Sequence, residues 1–216
     1  MTPGEPLIRW DWLLAHLGDI AQRVEQHLVL TGIAVGVGLL LSLLLGIWAA
    51  RRPAVYAPVT WVTGILYTIP SLALFALLVP FTGLSLLTAE IGLVSYTLLI
   101  LIRNIVAGIR AVPAEVRESA LGMGYTPRQV LWQVELPLAL GVIIAGVRVA
   151  TITTVGLVTV TALIGQGGLG FFILDGIQRF FSTPLIVGAL LSVVLAVALD
   201  ALLVRLERLA TPWVKR

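Results

Sequence analysis

Apolar residues in this chain do not alternate with polar ones; they run together. From "HLVL" to "GIWAA", from "AVYAPV" to "LLVP", and three times more further on, stretches of twenty or so residues hold few groups that prefer water. An α-helix needs ~20 predominantly apolar residues to cross the hydrocarbon of a bilayer. The runs therefore predict five membrane spans, at about 27–50, 57–80, 86–109, 138–165 and 183–204. The third has the shortest clean core, "IGLVSYTLLILI", because Glu90 and Arg103 bound it. Both charges fall near its ends, where long side chains reach the interface. The predicted fold class is all-α, a polytopic transmembrane helical protein.

Two segments break this pattern. Residues 1–26 set Trp10, Trp12, Leu13, Leu14, Leu17 and Ile20 among charges, which predicts an amphipathic helix at the outer interface, with tryptophans at headgroup depth. A solvated lead-in is the alternative. The first apolar run starts near His27, behind this mixed-charge stretch, and is too long for the core of a secretory leader, so no cleavable leader is expected. Residues 27–216 form the membrane domain, and within it the second polar segment, 110–137, stands between the third and fourth spans.

Composition agrees with the pattern. Of 216 residues, 59% are hydrophobic and only 12% charged, against roughly 25% charged in ordinary soluble domains. The absence of cysteine excludes disulfides and thiolate metal sites. His16 and His27 are isolated and the acids are scattered, so neither a metal site nor a convergent catalytic centre is expected. The chain is read as a non-enzyme on that ground.

The net charge of +3 says little, but its distribution orients the chain. With the N-terminus outside, Arg51, Arg52, Arg110, Arg117, Arg128, Arg205, Arg208, Lys215 and Arg216 lie inside, with Arg103 and Arg148 near that face. Only Arg9, Arg23 and Arg179 remain outside, the asymmetry of a cytoplasmic face. The N-terminus is thus expected outside, the C-terminus inside, and 110–137 in the cytoplasm.

That segment has a legible shape. Pro113 suits a first helical turn, with Glu115 and Glu118 near the positive helix end. "PAEVRESAL" then meets Gly122 and Gly124, which can adopt the left-handed geometry that ends helices. Thr126, Pro127 and Gln129 form a capping box for a second helix, and Pro137 is expected to close it. A helix, a glycine elbow and a helix also describe a DNA-reading unit. Three acids against Arg117 and Arg128 disfavour phosphate binding. The remaining task is docking to a protein, through a knob offering Val116, Ala120, Met123, Val130 and Val134.

The order of residues here, Glu118-Ser119-Ala120, then Gly124, then Val134-Glu135-Leu136-Pro137 after nine intervening positions, resembles the "EAA" signature of ATP-binding-cassette importer permeases. Ser119 replaces the usual second alanine, one small residue for another. "YTIPSLALFALLVP", "LLILIRNIVAGIRAVPAEV" and "LIGQGGLGFFILDGI" are similar to segments of the osmoprotectant branch of that family, and the likeness runs from about residue 25 onward. The resemblance implies a multi-pass subunit of the bacterial cytoplasmic (inner) membrane that imports glycine betaine, choline, carnitine or related quaternary amines. It implies an ATPase subunit, a second permease copy or related permease, and a periplasmic or lipid-anchored binding protein as partners. No G-x-x-x-x-G-K-[ST] occurs, so ATP and its Mg are expected on the ATPase and no cofactor on this chain. Glu118, Ser119, Ala120, Gly122, Gly124, Leu136 and Pro137 are by resemblance the ATPase-coupling residues.

Three features inside the spans bear on a transport pathway. Pro70 with Ser71 interrupts the second span and frees backbone carbonyls, either for a pathway lining or in a packing kink. Gly165, Gly167, Gly168 and Gly170 end the fourth span in a turn that is either an outer gate or an ordinary loop. Tyr67, Phe75 and Tyr96 offer aromatic faces to a quaternary ammonium, or pack. Asp200 is expected to pair with an arginine and Asn104 to bond across helices. Import of another small zwitterion or amino acid, and a non-transporting scaffold, are the alternatives.

Overall fold

Helix follows helix throughout, and the computed structural model describes residues 6–213. Lys215 and Arg216, counted above for orientation, lie outside the described residues. In order the elements are α1 (Trp10–Ala15), α2 (Leu17–Arg51), α3 (Pro53–Thr68), α4 (Ser71–Thr82), α5 (Leu86–Arg110), α6 (Ala114–Gly122), α7 (Pro127–Val130), a π-helical turn (Leu131–Glu135), α8 (Leu136–Val160), a 3₁₀ turn (Thr161–Ile164), α9 (Gly170–Gln178) and α10 (Ser182–Ala210). No strand occurs among the described residues. Among the described residues four stretches are long and apolar enough to cross a membrane, Leu17–Arg51, Leu86–Arg110, Pro127–Ile164 and Ser182–Ala210, and α3 with α4 makes a fifth if counted as one broken span.

The sequence marks where polarity changes, and the helices do not always stop there. The expected border at 26/27 falls inside α2, a single helix of 35 residues. Ala21, Gln22, Arg23, Glu25 and Gln26 are all good helix formers and nothing among them ends a helix. At 1.5 Å per residue such a helix is about 50 Å long, well beyond a ~30 Å hydrocarbon layer, so its polar first turns have room outside the apolar run. Among the described residues of that segment a separate helix, α1, ends at His16, whose Nδ1 lies 2.7 Å from the Trp12 carbonyl oxygen and whose ring stacks on Trp12.

The second span is broken where Pro70 predicts. The pair α3 and α4 is sharply bent at Ile69–Pro70. Pro70 has no N–H to give to the preceding turn and disfavours helical backbone at Ile69, so one helix ends and another begins. The Pro70 carbonyl then accepts from the Leu74 N–H at 2.9 Å, the first bond of α4.

One expectation is corrected. Pro137 does not close the second helix of the polar segment: α7, the π turn and α8 form one continuous helical path in which Pro137 is the second residue of α8. In a regular α-helix the proline ring would clash with the carbonyl four residues back. The π turn just before it widens the backbone by one residue and removes the conflict.

The chain divides into two compact units. The first comprises the chain up to Gly36, Ile69–Val94 and Thr151–Leu199. Its core gathers Leu30, Ala34, Phe75, Ala89, Leu93, Val158 and Ile164. Gly92 lets α5 lie directly against the Phe75 ring, where a Cβ would collide. The second comprises Val37–Thr68, Ser95–Ala150 and the chain from Asp200. It packs Ile105, Ile109, Ala139 and Ile143 in one cluster and Ala49, Ile102 and Val106 in another.

Two polar expectations inside the second unit meet different fates. Asp200 does pair with an arginine: Arg148 donates to both carboxylate oxygens, at 2.8 and 3.0 Å, in the fork geometry that makes such pairs strong. Asn104 does not bond across helices. Its amide donates to the Ile100 carbonyl of its own helix at 2.8 Å, because Gly146 brings α8 close against its side chain.

Candidate functional site

The polar segment folds as the capping signals dictate. α6 starts after Pro113, which occupies the cap position rather than the first turn. Gly122 is the last residue of α6 and Gly124 turns the chain at φ +89°, a conformation that costs little only without a side chain. The Gly124 and Tyr125 N–H groups bond back to the Leu121 and Ala120 carbonyls at 3.0 and 3.2 Å, closing the end of α6. Thr126 and Gln129 complete both halves of the capping box on α7.

The faces of this knob are unequal. Glu118, Ser119, Gly122, Met123 and Gly124 are exposed, as is Val116. Ala120 and Val130 are buried, which corrects the expectation that they are offered to a partner. Met123, 71% exposed, and Leu121, 49% exposed, are with Val116 the apolar side chains the knob presents. Leu136 and Pro137 are half-buried at the root of α8.

Beneath the knob lies an ion cluster that the sequence did not single out. Glu135 is buried at the end of the π turn, with Arg117 Nε 3.0 Å from its Oε1 and Arg51 Nη2 3.3 Å from its Oε2. Arg51 also donates to the Pro127 carbonyl at 3.1 Å and Arg117 to the Ile109 carbonyl at 2.7 Å. Arg110 donates to the Ala49 carbonyl at 3.4 Å and lies over the Tyr56 ring. Arg110 and Arg117 thus cap carbonyls at the ends of α2 and α5, where the helix dipole is negative, while Arg51 reaches the start of α7. The signal in the sequence was a lone acid in the apolar turn "VLWQVELP", visible but without a partner to give it meaning.

The glycine stretch 165–170 is a packed turn. Gly165 (φ +81°) ends the 3₁₀ turn, and Gly168 (φ +48°) lies against the backbone of His27. A Cβ on Gly167 would strike the Ala162 backbone and one on Gly170 the Thr159 carbonyl. His27 is fully buried and pins this turn: its Nδ1 accepts from the Leu169 N–H at 3.3 Å and its Nε2 lies 3.0 Å from the Val155 carbonyl oxygen. An N–H can only donate and a carbonyl only accept, so the ring is the neutral tautomer with its proton on Nε2. In sequence His27 stood only as the first residue of an apolar run.

The aromatic candidates separate. Tyr67 and Tyr96 meet edge to face, with centroids 5.9 Å apart, Tyr67 partly exposed and Tyr96 buried. Phe75 is 1% exposed, inside the core of the first unit. Pro70 and Ser71 mark the start of α4, Pro70 exposed and Ser71 half-buried. An open hollow of about 560 Å³ beside α3 is lined by Tyr56, Thr60, Trp61, Tyr67, Leu99 and Arg103. It adds Tyr56 and Trp61 to the aromatic surfaces near Tyr67. Among the described residues no group of three or more His, Asp or Glu comes together as a metal site.

Comparison with known proteins follows the same lines. A family profile described as "Binding-protein-dependent transport system inner membrane component" matches residues 42–211. The osmoprotectant import permease protein OsmW of Salmonella typhimurium is 37% identical over 206 residues, covering 93% of this chain and 96% of its own length. The choline transport system permease protein OpuBB of Bacillus subtilis is 35% identical over 195 residues, with 90% of each chain covered. Among solved structures, an inward-facing form of the MetNI methionine ABC transporter superposes with a TM-score of 0.81 at 24% identity, covering 93% of this chain and 97% of that one. That likeness speaks for the fold.

Proposed function

This chain belongs to the family of binding-protein-dependent transport system inner membrane components, and on that premise we propose that it is the permease subunit of an ATP-binding-cassette importer for quaternary-amine osmoprotectants of the glycine betaine, choline and carnitine type. The observation that carries the proposal is the exposed face Glu118–Gly124 on a helix-turn-helix knob between two spans, in a chain 37% identical to an osmoprotectant permease.

The knob is a coupling helix seated on an ATPase subunit that binds ATP and Mg. Exposed Glu118, Ser119, Gly122 and Gly124 face that subunit, and Leu136 and Pro137 carry its motion into α8. ATP-driven closure of two ATPases pushes two such knobs together and rocks the spans between inward- and outward-open states. A second permease copy or a related permease completes the pathway, and an external binding protein delivers the solute. The partly exposed pair Tyr67–Tyr96 and the break at Pro70–Ser71 are the pathway candidates, because a quaternary ammonium donates no hydrogen bond and is held by aromatic faces. The packed turn Gly165–Gly170 is the candidate outer gate.

The test is uptake. Cells that depend on this system are expected to gain growth in high salt when given glycine betaine, choline or carnitine, and the purified complex to import one of them in proteoliposomes. Uptake of an amino acid or unrelated zwitterion, with no response to any quaternary amine, would replace the substrate class and leave the importer reading in place.

A further inference from the structure

We infer that Glu135 is the positioning residue that transmits motion of the knob into the spans, an inference that rests on the coupling role proposed above. Its carboxylate is where separate pieces of chain converge. Arg51 is the last residue of α2, Arg117 belongs to α6, and Glu135 itself closes the π turn that leads into α8. The same two arginines reach carbonyls of Pro127, at the start of α7, and Ile109, near the end of α5. One buried charge therefore ties the knob to the ends of three spans.

The covalent connections alone are a poor lever. Between α5 and α6 the chain turns at residues 111–113, and between α6 and α7 it turns on Gly124 at φ +89°. A push on α6 could be absorbed in either turn without moving a span. Two ion pairs at 3.0 and 3.3 Å on a buried carboxylate resist that, because separating them leaves a charge that is itself largely buried without its partners. The π turn contributes by bringing Glu135 to the inner side of the helix: Trp132 and Gln133 are exposed and Glu135 is buried. A docking role for Glu135 is ruled out by its 7% exposure, since it offers no surface to a partner.

The experiment uses the assembled transporter, with ATPase and binding protein, in proteoliposomes. Glu135→Gln keeps the size and removes the charge. The expected result is a membrane level and ATPase co-purification within about twofold of the unmodified complex, with ATP hydrolysis retained and solute import down at least about tenfold, so that ATP consumed per solute rises by a similar factor. A merely structural role would lower level and both rates together. Arg51→Gln, at a half-exposed position, is expected to show the same signature more weakly, and decides the matter if Glu135→Gln does not accumulate. An unchanged ATP-to-solute ratio in the variant that accumulates overturns the inference, as does loss of ATPase binding. If the unmodified complex neither binds the ATPase nor imports, the coupling reading itself has failed; if it imports and the variants match it, only the role of Glu135 has.

Discussion

Gly124 is one residue whose identity the backbone dictates. At φ +89° an L side chain is strained by about 1–2 kcal/mol, yet a Cβ there would meet nothing within 4 Å in the subunit itself. The local cost of Gly124→Leu is therefore backbone strain in the polar segment 110–137, too small to unfold the chain. Any larger effect must come from a partner that covers this exposed turn. The Leu variant is expected to reach the membrane at normal level, to bind the ATPase more weakly or hydrolyse without coupling, and to import at less than roughly a tenth of the normal rate. Level, association, hydrolysis and import measured in one preparation check it. Normal import would remove the coupling role from Gly124.

Among elements, the join of α7 to α8 is where local chemistry and fold disagree most openly. A proline inside a continuous helical path is ordinarily a stop, and here a π turn carries the helix past it. The conflict has a use, because the wider turn rotates the residues before Pro137 relative to those after it and so sets the direction of Glu135. Pro137→Ala restores an N–H and removes the ring clash, which favours regular α geometry across 131–137 and a rotation of up to about 100° between the two sides. The expected outcome is altered reactivity of a single cysteine placed at exposed Trp132, a clean probe since the chain has no cysteine of its own. Import is expected to fall with it. Identical labelling and import in the Ala variant would mean that the π turn is held by its neighbours and not by the proline.

For the whole molecule the prediction concerns orientation, which follows from the arginine distribution. A reporter fused after Arg52, or within 110–137, is expected to score as cytoplasmic and one near Phe171 as external. The physical ground is that short, positively charged loops stay on the side of synthesis. Either inner fusion scoring as external would require a different number of crossings, and the broken pair α3–α4 is the place where the count would change. Exposed apolar residues such as Leu44, Trp61 and Phe81 fit a chain whose surroundings are lipid and partner subunits.

What the sequence determined by itself is everything that depends on neighbours along the chain. The apolar runs follow from the cost of leaving backbone polar groups unpaired in hydrocarbon, and they fix an all-α, multi-span architecture. The break at Pro70, the capping box at Thr126–Gln129 and the turn at Gly124 follow from missing N–H groups and permitted φ angles, and each appears where its residues predict. The Asp200–Arg148 pair was legible halfway, as a charge that needed an opposite. Tertiary structure alone decided the rest, because it depends on which residues meet across long sequence separations. It turned Ala120 and Val130 inward, kept Asn104 on its own helix, packed the 165–170 turn around His27, and carried the helix through Pro137. It also joined Arg51, Arg117 and Glu135, a cluster spanning 84 positions from Arg51 to Glu135. No periodicity or motif encodes such a meeting; only close packing of distant segments brings a buried carboxylate to the two guanidinium groups that make its burial affordable.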